Sequence, residues 1–127
     1  MYRAPETSRP SNLQTSLARS DRESLRAPAA LANAATETIA APTLGDDTPL
    51  FSYVINAVNP PGSTTTGYVL AELLEGVVVK SHDIVPIDQT REIGRVPAGY
   101  DLRITGAFSA NNAVVSVHAV LPELDQY

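Results

Sequence analysis

The side chains best suited to chemistry in this chain are few, and their spacing works against them. His82 and Asp83 are adjacent, and a histidine beside a carboxylate could serve as a general base or a metal ligand. Neighbours in an extended strand point to opposite faces, so the pair cannot easily act on one atom. Lys80-Ser81 just before it reads as a turn. His118 shares the last apolar run with Ser116; a lone strand histidine there reads as an interface or edge residue, and two copies could meet across a trimer axis. Asp46-Asp47-Thr48 groups the oxygen ligands a calcium ion takes, but the spaced carboxylates and fixed glycine of a calcium loop are missing, and an acidic hinge explains the residues as well. Asp88, Glu92 and Asp101 make no acid/base pair. No serine sits in a nucleophile-elbow setting, and no glycine-rich loop opens a helix to hold phosphate. The absence of cysteine removes disulfides, thiolate zinc sites and thiol nucleophiles together. The reading is a non-enzyme with no metal and no cofactor.

Charge narrows the partners. Residues 1–26 hold five arginines against three acids, a balance of +2, and the other 101 residues hold four bases against eleven acids, a balance of −7. Nucleic-acid surfaces carry dense basic patches, and Lys80, Arg91, Arg95 and Arg103 do not make one. No stretch approaches the ~20 apolar residues that span a bilayer. The Ala-rich run Ala27–Ala41 is interrupted by Asn33, Thr36, Glu37 and Thr38, unlike the core of a secretion signal. Neither nucleic acid nor membrane is expected.

The elements that must position these residues divide the sequence in two. Residues 1–49 are rich in Ser, Thr, Ala, Pro and Arg with scattered aliphatics, too little apolar surface to offset an ordering cost of roughly 1–2 kcal/mol per residue. They read as an extended low-complexity arm. Pro28 and Pro42 frame one short helix over Ala29–Ala41, marginal unless it packs on something. Residues 50–127 read as a β head. Phe51, Tyr53, Ile55 and Ala57 alternate along a first strand; Tyr68–Leu74 is ambiguous between strand and helix and is assigned to strand because Gly67 and Gly76 bracket it. Val77–Val79, His82–Ile87, Arg91–Val96, the alternating Tyr100–Thr105 and Ala113–Leu121 complete six or seven short strands. The expected fold is mainly β, a small antiparallel β-sandwich, jelly-roll-like, carrying the arm. Phe51, Tyr53 and Tyr100 are assigned to its core. A cysteine-free head of 78 residues is small enough to want partner subunits, and a homotrimer is expected.

The stretch Ile93–Leu121, IGRVPAGYDLRITGAFSANNAVVSVHAVL, resembles the C-terminal strands of small β-sandwich proteins on bacteriophage particles, where a V-P-A-G turn leads into an alternating strand and an Ala/Val-rich strand closes the sheet. With a low-complexity arm in front, the chain resembles capsid decoration (cement) proteins and head-fibre bases. That resemblance implies a virion structural protein, assembled in the host cytoplasm, that binds the major capsid protein or another virion protein and stabilises the shell. The arm is then the attachment element, with Arg3, Arg9, Arg19, Arg22 and Arg26 pairing with partner carboxylates and Leu13, Leu17, Leu25 and Leu31 filling apolar pockets. The alternative is a receptor- or carbohydrate-binding fibre or spike module anchored by the arm. Its contacts would come from exposed loop residues such as Ser63, Thr64, Thr65, Asn111 and Asn112.

Overall fold

The computed structural model describes residues 22–44, 50–110 and 112–121. Eight strands account for most of them: β1 Arg22–Leu31, β2 Thr36–Ile39, β3 Leu50–Val58, β4 Gly67–Glu75, β5 Val78–Pro86, β6 Gln89–Pro97, β7 Asp101–Phe108 and β8 Ala113–Val120. They form two four-stranded antiparallel sheets, ordered β1-β8-β3-β6 and β2-β7-β4-β5. The pairing has one rule. β4 pairs with β5, β3 with β6, β2 with β7 and β1 with β8, as in a single long hairpin, and the β3–β8 and β4–β7 ladders roll that hairpin into a sandwich. This is the jelly-roll topology.

Period-two patterning fixes which face is buried. In β3, Phe51, Tyr53, Ile55 and Ala57 point inward; in β8, Ala113, Val115, Val117 and Ala119 do the same. The opposing sheet contributes Val69, Ala71 and Leu73 from β4 and Leu102, Ile104 and Phe108 from β7. Phe51 and Tyr53 meet edge to face with ring centroids 4.8 Å apart, and the buried Tyr53 hydroxyl donates to the Tyr100 carbonyl at 2.7 Å. Burial, with the Asp101 charge second, pushes the Tyr53 phenol well above its ordinary pKa. Tyr100 itself is half-buried against the core.

Three expectations are corrected here. The division at residue 49/50 does not hold, because β1 and β2 lie N-terminal to it and each is an edge strand of one sheet. The helix over Ala29–Ala41 is instead the end of β1, a turn at residues 32–35 and β2. Alanine's helix propensity amounts to a few kcal/mol at most over such a segment, whereas β8 and β7 offer ladder hydrogen bonds and a place for Leu31 and Ile39 in the core. Lys80-Ser81 is no turn, and residues 78–86 form one continuous strand. The turn at 32–35 is held where Gly106 permits: Ala34 N–H donates to the Gly106 carbonyl at 2.8 Å and Gly106 N–H to the Ala35 carbonyl at 3.0 Å. A Cβ on Gly106 would lie 2.6 Å from the Ala32 carbonyl oxygen.

Candidate interaction surfaces

The strand registers sort the loops into two ends. Leu50 opposes Pro97, Leu74 opposes Asp101, and Arg22 opposes Val120, so the β4–β5 hairpin, the β6–β7 turn, the start of β1 and the end of β8 share one end. The segments preceding Arg22 and following Leu121 both leave from there. The β4–β5 hairpin projects at this end with little among the described residues to cover it: Val77 is 92% exposed, Val78 55% and Val79 42%. Glu75 and Lys80 flank these valines and face each other at 3.5 Å.

Beside it, on the outer face of the β1-β8-β3-β6 sheet, lies a groove of about 290 Å³ lined by Leu50, Phe51, Val120 and Leu121, with Glu92 and Arg95 on its sides. Its origin is a bulge. Between the Phe51–Val96 and Tyr53–Ile93 pairs, β6 spends two residues opposite Ser52, and Arg95 sits at φ 58°. A bulge of this kind bends the strand and re-aims its side chains.

The opposite end carries the β1–β2, β3–β4, β5–β6 and β7–β8 connections, and much of its polar capacity is spent internally. Asn59 donates through Nδ2 to the Thr65 carbonyl at 3.0 Å, the Ser63 and Thr65 hydroxyls meet at 3.0 Å, and Thr66 and Ser109 exchange bonds of 3.1 and 2.8 Å. Thr65 is buried, Ser63 half-buried, and Thr64 and Asn112 exposed; Asn111 lies outside the described residues. Thr65 thus cannot serve as an exposed loop contact, because it closes the β3–β4 loop from within.

The residues assigned to the arm fare differently from one another. Arg3, Arg9, Leu13, Leu17 and Arg19 lie outside the described residues. Arg22 is exposed at the start of β1, and Leu25 is half-buried against the core. Leu31 is 1% exposed, so its side chain belongs to the core and not to a partner's pocket. Arg26 is likewise committed within the chain. Its Nε donates to Glu37 Oε1 at 2.8 Å and its Nη2 to Oε2 at 2.9 Å, while further bonds reach the carbonyls of Ala29, Ala30 and Val115. This bidentate bond raises the Arg26 pKa and lowers that of Glu37, each against a smaller effect of burial. Nothing in their spacing signals this pair, since the two residues are eleven apart on strands of different sheets. A Glu72–Arg103 pair at 2.9 Å across β4 and β7 was equally illegible.

His82 is exposed on β5 with Glu72 opposite, while Asp83 turns to the other face and meets Arg91 at 3.5 Å. His118 is half-buried on the outer face of its sheet between Ser24 and Val54. The two histidines therefore occupy different sheets. Among the described residues no three His, Cys, Asp or Glu side chains converge as a metal site would require, and there is no helix long and apolar enough to cross a membrane. Asp46 and Asp47 lie outside the described residues.

No known protein family matches the chain, and no curated protein sequence does. A solved structure described as "Bacillus endospore appendages form a novel family of disulfide-linked pili" is similar in fold, with a TM-score of 0.53 over 82% of this chain and 88% of that one, at 11% identity. At that identity the likeness speaks to the jelly roll alone.

Proposed function

We propose that the chain is a non-enzymatic structural subunit of a multi-subunit particle, attached through the segment that precedes β1, with capsid decoration as the leading form of that role. The observation that carries the reading is the placement of the chain's ways out. The segment before Arg22 starts at the same end as the exposed Val77–Val79 hairpin and the Leu50/Val120 groove, so attachment elements and free apolar surface are collected together. The resemblance of Ile93–Leu121 to phage β-sandwich proteins supports the same role. A particle partner would be the major capsid protein or another virion protein.

The fold likeness to an appendage described as disulfide-linked pili favours a second form, a filament subunit. Without cysteine, copies of these 127 residues would have to hold one another by noncovalent contacts.

A decoration protein binds the assembled shell and stabilises it by mass action, about 2.7 kcal/mol per site at a hundredfold excess over Kd. Shells carrying the protein should resist thermal release of their contents better than shells without it, and removing residues 1–21 should abolish binding while the sandwich stays folded. Ordered filaments of the purified protein alone, seen by electron microscopy, would favour the second form. Unchanged shell stability with lost host adsorption on altering Thr64 and Asn112 would favour the receptor-binding alternative.

A further inference from the structure

We infer that the Val77 hairpin of one copy seats in the Leu50/Val120 groove of a second copy, reciprocally, to make a two-fold dimer joined end to end. Three features of the described residues converge on this occupant. The first is shape: an unsupported branched aliphatic tip, and a groove of about 290 Å³ whose largely apolar floor is Leu50, Phe51, Val120 and Leu121 with the small Ser52 among them. The second is charge. The tip's valines are flanked by Glu75 and Lys80, and the groove's apolar floor is flanked by Arg95 and Glu92, so each carries one acid and one base that the other can match. The third is position. Tip and groove share an end of the sandwich but belong to different sheets, and the groove opens on the outer face of its own sheet, so among the described residues the tip, with Val77 92% exposed, does not fill its own chain's groove. Two copies facing end to end fill both at once, which closes the contact on itself. The inference concerns contacts between copies and is tested without any particle; a dimer would occupy the apolar surface on which the decoration reading also draws, and shell binding by a Val77→Asp monomer tells the failure of one from the failure of the other.

The test uses the full 127-residue chain in sedimentation equilibrium over micromolar to millimolar concentrations. Wild type should pass from monomer to dimer. Val77→Asp should raise the dissociation constant at least about a hundredfold, because a change in a two-fold contact counts twice. Two charge-neutral variants give the stricter test. Glu75→Arg with Lys80→Glu reverses the tip, and Glu92→Arg with Arg95→Glu reverses the groove. Each alone should be monomeric with an unchanged melting curve. Mixed together they should form a one-to-one heterodimer of near wild-type affinity, since a reversed tip then meets a reversed groove and a native tip meets a native groove. A wild type that stays monomeric throughout overturns the inference, as does a mixture that fails to associate or a tip-reversed variant that dimerises like wild type.

Discussion

The two lateral edges of the sandwich solve one problem in opposite ways. Each edge must close the gap between two sheets where the described residues offer no further strand. At the β1/β2 edge a single arginine does it: Arg26 reaches from one sheet to Glu37 on the other and satisfies the carbonyls of Ala29, Ala30 and Val115, its side chain only 10% exposed. The edge is also blunted against pairing by two register shifts in β1, by Pro28 and by the shortness of β2. At the β5/β6 edge the corresponding cross-sheet contact is Asp83 to Arg91, one bond of 3.5 Å between side chains about 40% exposed. There β5 runs nine residues with Val78, Val79 and Ile84 in solvent. One edge is sealed by the chain's own polar groups. The other leaves apolar side chains exposed.

Removing the sealed edge altogether is the largest perturbation. A chain beginning at Leu50 loses β1, β2 and the core side chains Leu31 and Ile39, and leaves the outer ladders of β7 and β8 open. It should show no cooperative thermal transition; a sharp melt of residues 50–127 would mean that the β1/β2 edge is dispensable. Next in size is Gly106→Ala. The added methyl meets the Ala32 carbonyl, a backbone atom fixed by the turn's hydrogen bonds, and the edge must shift to admit it. We expect a loss of about 3 kcal/mol in denaturant unfolding. Gly94→Ala, whose Cβ would find the Ser52 hydroxyl at an ordinary 3.6 Å, should cost far less.

Where the sequence was legible follows from the range of the interactions. The strands β3, β7 and β8 announce themselves by alternation, because each carries its buried set within itself, whereas β4 reads equally as helix until its bracketing glycines are weighed and β6 buries only Val96. β1 and β2 carry one buried aliphatic apiece, Leu31 and Ile39, and owe their conformation to partners 63 to 98 residues away in sequence. Ala, Ser and Thr spread over such a segment look like a solvated arm until those partners are known. Arg26 misled for the same reason: a basic residue among prolines and acids reads as a surface charge, and only the rolled hairpin brings Glu37 beneath it. The Val77 tip was visible as an apolar run, but its exposure depends on β5 continuing through Lys80-Ser81, past a register shift opposite Leu73 and Leu74.

The contrast between the edges sharpens further when the two arginines are removed in turn. Arg26→Ala leaves three backbone carbonyls and the Glu37 carboxylate without their donor, one of those carbonyls part-buried, and should cost about 2 kcal/mol. Arg91→Ala breaks one exposed contact and should cost about 0.5 kcal/mol or less. Equal losses would erase the distinction drawn between sealed and open edges.

The smallest effect isolates the carboxylate of the sealed edge. Arg26 holds the folded-state pKa of Glu37 below its ordinary value of 4.5, chiefly through the side-chain hydrogen bond. A carboxyl group with a depressed folded pKa contributes stability that is complete above its unfolded pKa and is lost as pH falls through the folded one. Glu37→Gln keeps the size of the side chain and removes that dependence. At neutral pH the variant should be less stable than wild type by about 0.5–1 kcal/mol, a modest figure because the Glu37 side chain is 44% exposed and solvent screens the pair. The gap should close as pH drops below 4.5, where wild type takes up the proton that the glutamine variant cannot. Urea unfolding of both proteins across that range reads it directly; a gap that persists unchanged into acid would mean that the Glu37 charge is not its source, and no gap at any pH would mean that Arg26 seals the edge through the backbone carbonyls alone.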